Sequence, residues 1–236
     1  MLRVTHMKKI TFVLIIFLAL NSGLILKAQE LKFGVITGLN ISRRQVTNIK
    51  DYTDESKIYY PLLMPNANMY IGYKSKSFWG LSFEPGYIQK GGLRKDFAVQ
   101  IGNTSYIPQD VKYISNYIQM PVLLDLYFTK KLFISVGPEF AYLINSKVKS
   151  QIYSFDMTEN FQKIEIAGVI GLNYNLIKCI DIGFQYNHGV TKSSTLWWVD
   201  DFGSLLGTSK EYNQYFQFKI RFKLERKNRE DKKSLS

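Results

Sequence analysis

The sequence predicts an all-β protein, an eight-stranded antiparallel up-and-down transmembrane β-barrel. Three observations carry that prediction. Apolar residues recur at every second position in eight segments of roughly ten residues, the length of a tilted membrane strand. Long polar connections alternate with short ones. The chain also opens on an export-type leader.

Composition narrows the remaining classes. The chain has 236 residues, 46% of them hydrophobic and 15% aromatic, which is too apolar for a disordered protein. The length suits one domain built on a single large sheet. One Cys excludes a disulfide scaffold and a Cys-cluster metal centre, and two His leave little for a zinc site. No cofactor is expected.

Residues 1–28 read as a Sec signal peptide. Arg3, Lys8 and Lys9 precede the apolar run ITFVLIIFLAL (10–20), and Asn21, Ser22 and Gly23 interrupt it before LILKAQE. The run is shorter than the ~20 apolar residues a spanning helix needs. Cleavage is expected after Ala28. No Cys lies near that cut, so no lipid anchor is expected on the mature N-terminus. Cleavage would remove four basic and no acidic residues, taking the net charge from +12 to +8. Residues 29–224 are then the barrel, and residues 225–236 a charged, flexible periplasmic tail.

The strands follow in order. In 31–41, Leu31, Phe33, Val35, Leu39 and Ile41 share one face. In 66–74, Ala67, Met69, Ile71 and Tyr73 do so, and in 79–89, Trp79, Leu81, Phe83 and Tyr87. In 117–128 the apolar face is Ile118, Met120, Val122, Leu124, Leu126 and Phe128. The second half repeats the pattern in 132–142, 164–174, 180–187 and 212–224. Residues 42–65, 90–116, 145–162 and 188–211 are the long connections, expected as polar extracellular loops; 75–78, 129–131 and 175–179 are the short ones, expected as periplasmic turns. An even count puts both termini on the periplasmic side.

Periodicity alone does not say which face is out. The polar face mixes charges with glycines, as the filled interior of a small barrel requires. The apolar face carries aromatics near the strand ends, as membrane-interface girdles do. Tyr73, Trp79, Phe128 and Tyr174 would mark the periplasmic rim, and Tyr87, Tyr142, Tyr186 and Tyr212 the outer one. The location that follows is the outer membrane of a Gram-negative bacterium, with its lipid and lipopolysaccharide as neighbours and the barrel-assembly machinery as a partner during biogenesis.

FGVITGLNIS (33–42), NYIQMPVLLDLYF (116–128) and LFISVGPEFAYLI (132–144), extended by FEPGYIQKGG (83–92) and IDIGFQYNHGVTK (180–192), resemble the PorT-like family of small outer-membrane β-barrel proteins of Bacteroidota. The resemblance covers nearly all of the mature chain. It implies the barrel and no reaction. The family includes a component of a secretion apparatus. One departure is the end of the chain: Phe222 and Leu224 precede a charged tail, whereas outer-membrane barrels commonly finish on an aromatic assembly signal.

Candidate site residues fall into four groups. Glu84, Asp125, Glu139, Glu165 and Asp181, with Lys32, Lys90, Lys219, Arg221 and Lys223, would form a lumen charge network. Charges in a narrow interior must be paired, so the network is expected to be structural rather than an ion path. Trp197, Trp198 and Phe202 would form a loop contact patch or fold over the barrel mouth. Arg43, Arg44, Lys50, Arg94 and Lys95 could meet lipopolysaccharide phosphates. His188, with Ser193, Ser194, Asp200 and Asp201 nearby, lacks any spacing that enforces a catalytic triad. The reading is therefore non-enzymatic: a surface protein displaying loops for partner or surface binding or for envelope integrity. The alternatives are a secretion-machine component and a narrow ion or small-solute channel. The export signal and the scattered basic residues argue against nucleic acid.

Overall fold

In the computed structural model, which describes residues 30–47, 59–101, 105–199 and 205–224, the alternating segments form eleven strands. They are β1 (Glu30–Thr47), β2 (Leu62–Lys74), β3 (Trp79–Phe83), β4 (Gly86–Ile101), β5 (Ser105–Tyr127), β6 (Leu132–Lys149), β7 (Ser154–Asp156), β8 (Ile164–Ile177), β9 (Ile180–Gly189), β10 (Ser194–Val199) and β11 (Leu205–Leu224). The expected leader and its cleavage point lie outside the described residues, as does the 225–236 tail.

Eight walls close into a ring. Neighbours in sequence pair antiparallel, and β1 pairs with β11 from Phe33↔Leu224 to Thr47↔Lys210, so this seam leaves no free edge. The third wall is β3 plus β4. It is interrupted at Glu84–Pro85, where proline has no N–H to give to the ladder, but the register runs on unchanged: Phe83↔Val122 on one side and Gly86↔Gln119 on the other. Pro85 still accepts from the Met69 N–H at 2.8 Å.

The open question of which face is out is answered by exposure. Phe33, Val35, Leu172, Phe184 and Phe218 are about half exposed, while Glu139 and Lys90 on the opposite face are fully buried. An apolar exterior around a charged interior is the arrangement of a membrane barrel.

One expectation needs correction. The long connections are not loops throughout. The strands continue past the apolar band as paired hairpins: β4 and β5 stay in register from Gly86↔Gln119 to Ile101↔Ser105 across one bulge. β10 folds back on β11, from Ser194↔Glu211 to Val199↔Leu205, and β7 extends the β6 edge. Above the membrane the outward residues become polar while the inward ones still pack, so a sheet remains the stable state there.

The upper edge of the apolar band is a polar girdle on the outer wall. Tyr87 donates its hydroxyl to Asn116 Oδ1 at 2.6 Å, and Asn116 Nδ2 donates to Asn145 Oδ1 at 2.5 Å. Further round, Gln214 Nε2 lies 2.7 Å from His188 Nδ1, and Arg43 Nε donates to Gln214 Oε1 at 3.3 Å.

Candidate functional site: the charged bore

The inward positions of every wall converge on the bore, and the charges there sit in three tiers. The lowest is built on β11, whose alternation sends Lys219, Arg221 and Lys223 inward. Arg221 bridges Glu84 (Nη2–Oε1 2.6 Å) and Asp181 (Nη1–Oδ2 3.2 Å). Lys219 holds the other oxygen of Glu84 at 2.7 Å, and Lys223 holds the other oxygen of Asp181 at 2.6 Å. Arg221 also lies over the Tyr70 ring, 4.0 Å from its centroid. Gly183 gives the Lys219 stem its path: a Cβ there would stand 3.1 Å from Lys219 Cγ and Cε. Among the described residues Asp125 has no cation within ion-pair distance, and it accepts instead from Ser82 at 3.3 Å and Ser135 at 2.5 Å.

In the middle tier Lys90 bridges Glu139 at 2.8 Å and Glu165 at 2.9 Å, and among the described residues no other cation forms an ion pair with either carboxylate. Tyr215 donates its hydroxyl to Glu139 at 2.5 Å, and Asn213 Nδ2 donates to Glu165 at 2.6 Å. The upper tier pairs Arg44 with Glu211 at 3.4 Å. Tyr59 donates to Glu211 at 2.6 Å and Ser194 donates to the same carboxylate. The Arg44 guanidinium faces the Phe161 ring at 4.5 Å and the Tyr113 ring at 4.9 Å.

The structure therefore pairs Glu84 and Asp181 with Lys219 and Arg221 in the lowest tier and Glu139 and Glu165 with Lys90 in the middle one, with Asp125 held by hydroxyls beside the lowest. Lys32 is half-buried at the base, where it lines a cavity of about 20 Å³ with Tyr70, Tyr127, Asp181 and Lys223. That space holds about one water molecule. Tyr73 and Trp79 meet at 5.7 Å between ring centroids near the β2–β3 turn, and Phe128 and Tyr174 are exposed at the same end. Arg44 corrects one expectation: it points into the bore and is 4% exposed, so it does not face lipopolysaccharide. Lys50 lies outside the described residues, as does Phe202. Trp197 and Trp198 pair through their backbones with Thr208 and Gly207 in the β10–β11 hairpin.

His188 is on the outer wall, bonded to Gln214 and 3.2 Å from the Tyr186 hydroxyl. Ser193 and Ser194 are buried, Ser193 donating to the Glu211 backbone carbonyl and Ser194 to its carboxylate. Their hydroxyls and the imidazole thus lie on opposite faces of the wall, and no nucleophile–base pair forms between them. Asp200 and Asp201 lie outside the described residues. Among the described residues no cluster of His, Cys, Asp and Glu could hold a metal ion.

These features define a class: a small, side-chain-filled β-barrel of the bacterial outer membrane. Residues 27–195 match the outer membrane protein beta-barrel domain, and the chain belongs to that family. No curated relative matches the sequence. Among solved structures, Ail, the attachment invasion locus protein of Yersinia pestis, is 15% identical over 83% of this chain and all of its own, with a TM-score of 0.44. Neisserial surface protein A is 11% identical over 81% of this chain and 97% of its own, with a TM-score of 0.47. OprG of Pseudomonas aeruginosa is 10% identical over 83% and 96%, with a TM-score of 0.40.

Proposed function

We propose that this outer-membrane barrel is a closed, non-enzymatic scaffold that displays its extracellular hairpins for partner or surface binding. The observation that carries the reading is the bore itself. Each of its three tiers spans the interior with side chains from facing walls, so the barrel is a rigid post rather than a conduit. The hairpins supply ordered edges above the membrane, chiefly β4–β5 and β10–β11. Outer-leaflet lipopolysaccharide surrounds the upper wall, and Arg43 faces it.

The resemblance to PorT-like proteins supports a second reading, a secretion-machine component acting through the periplasmic turns or the lipid-facing wall. One experiment separates the two. Residues 97–109 are replaced by a two-residue Asn-Gly turn, and envelope complexes are cross-linked and captured on the barrel. The display reading expects the barrel to fold and its complexes to be lost. Complexes that survive trimming, and are lost instead when residues 75–78 or 129–131 are changed, would replace it with the secretion reading.

A further inference from the structure

Seven ion pairs lie inside the bore. The outer wall of β5 and β6 above the girdle treats its charges differently. Lys112 and Lys149 are register partners on adjacent strands, and both are exposed. Like charges placed directly opposite on one sheet face repel, and a protein pairing charges only for stability would put an acid at one of them. Lys147 lies two residues below Lys149 on the same face, and Lys163 is exposed where the chain enters β8. Two acids are near. Asp110 is two residues above Lys112. Asp156 is the register partner of Lys147, and its carboxyl sits below the usual range, first through bonds from Thr158 and then through Lys147 and Lys163. None of the four lysines makes an ion pair among the described residues.

Height decides what such a wall meets. Two residues of a strand tilted by about 40° rise about 5 Å, so Lys147 stands about 5 Å above Asn145 and the Lys112–Lys149 pair about 10 Å above it. The polar headgroup layer of a bilayer adds only about 5–8 Å beyond the hydrocarbon on each side. A phospholipid phosphate lies level with Lys147 and below the backbone of the upper pair, which meets it only by bending its lysine stems down. A leaflet whose headgroups carry phosphorylated sugars reaches both.

We infer that Lys112, Lys147, Lys149 and Lys163 form a docking wall for the phosphorylated saccharide headgroup of outer-leaflet lipopolysaccharide. The inference rests on the display reading, in which this wall stands in the outer leaflet. Multiple phosphates on one molecule would bridge the repelling lysines and remove the repulsion the free wall carries.

The test uses the full mature chain folded in a zwitterionic detergent and titrated with purified lipopolysaccharide. Lys112→Gln, Lys147→Gln and Lys149→Gln are combined in one variant and Lys→Arg at the same positions in another. At about a fivefold contribution per exposed lysine, the glutamine variant should bind about a hundredfold more weakly, and the arginine variant should bind as the parent does. Dephosphorylated lipopolysaccharide should bind the parent as weakly as intact material binds the glutamine variant. Equal binding by parent and glutamine variant overturns the inference. So does a soluble sulfated polysaccharide that binds the parent as tightly as lipopolysaccharide, which would make the ligand a free polyanion. All three proteins should keep the boiling-induced gel shift of a folded barrel. Loss of that shift in the parent would instead overturn the barrel reading underneath.

Discussion

Lys90 gives the sharpest test of the idea that the bore is held by paired charge. Lys90→Met keeps the length and apolar stem and removes the ammonium. Glu139 and Glu165 then lose the one cation paired with them among the described residues, and both are at most 1% exposed. At about 2.8 Å and an effective dielectric near 20, each contact is worth about 6 kcal/mol before desolvation is counted. Desolvation offsets most of that while the pair is intact, but it is left uncompensated when one partner goes, so the expected loss is about 3–5 kcal/mol. With an m-value near 2 kcal/mol per molar, the urea midpoint should fall by about 2 M. The assay is urea unfolding of the lipid- or detergent-folded barrel, read by the gel shift between folded and unfolded bands. The triple variant Lys90→Met/Glu139→Gln/Glu165→Gln removes the cation and both anions together, and it should recover most of the loss. A single variant with the parent's midpoint would refute the reasoning. So would a triple variant less stable than the single one.

Glu139→Gln and Arg221→Leu should also lower the midpoint, by less than Lys90→Met. Glu165 still holds Lys90 in the first, and Lys219 and Lys223 still hold Glu84 and Asp181 in the second. On the lipid face the opposite rule applies: Ile170→Arg, near the middle of β8 and 53% exposed, should cost about 2–4 kcal/mol in a bilayer, measured by the same unfolding assay. Cys179 tests orientation. It is the chain's one cysteine and lies at the short β8–β9 turn. A membrane-impermeant maleimide should leave it unlabelled on intact cells and label it once the outer membrane is permeabilised; labelling of intact cells would invert the barrel.

The eight walls were legible because strand alternation has a strict period of two, and lipid on one side with a packed bore on the other enforces it along the full length. Within those segments the alternation marks the inward residues: Glu84, Asp125, Glu139, Glu165, Asp181, Lys219 and Arg221 all lie in the bore. The upper tier is not visible in the apolar alternation, which fades beyond residue 41 and returns at 212. Arg44 continues the inward phase of Asn40 and Ser42, and Glu211 continues that of Tyr215 and Asn213. Both were available to the same rule. Above the girdle the outward residues turn from apolar to polar, so the contrast between faces fades although the ladder persists, and a paired hairpin reads as a polar loop. The partners of each charge were not legible at all. Which acid meets which base depends on stagger around the ring, and that is the sum of every strand register rather than any local pattern.

The most direct test of the central claim, that paired side chains close the bore, is the conductance of the purified barrel in a planar bilayer. The account predicts no single-channel steps for the parent, since the cavity at the base of the bore holds only about one water. Reproducible steps of a defined size, altered by Lys90→Met and absent from empty detergent controls, would contradict it and make the charged tiers the lining of a channel.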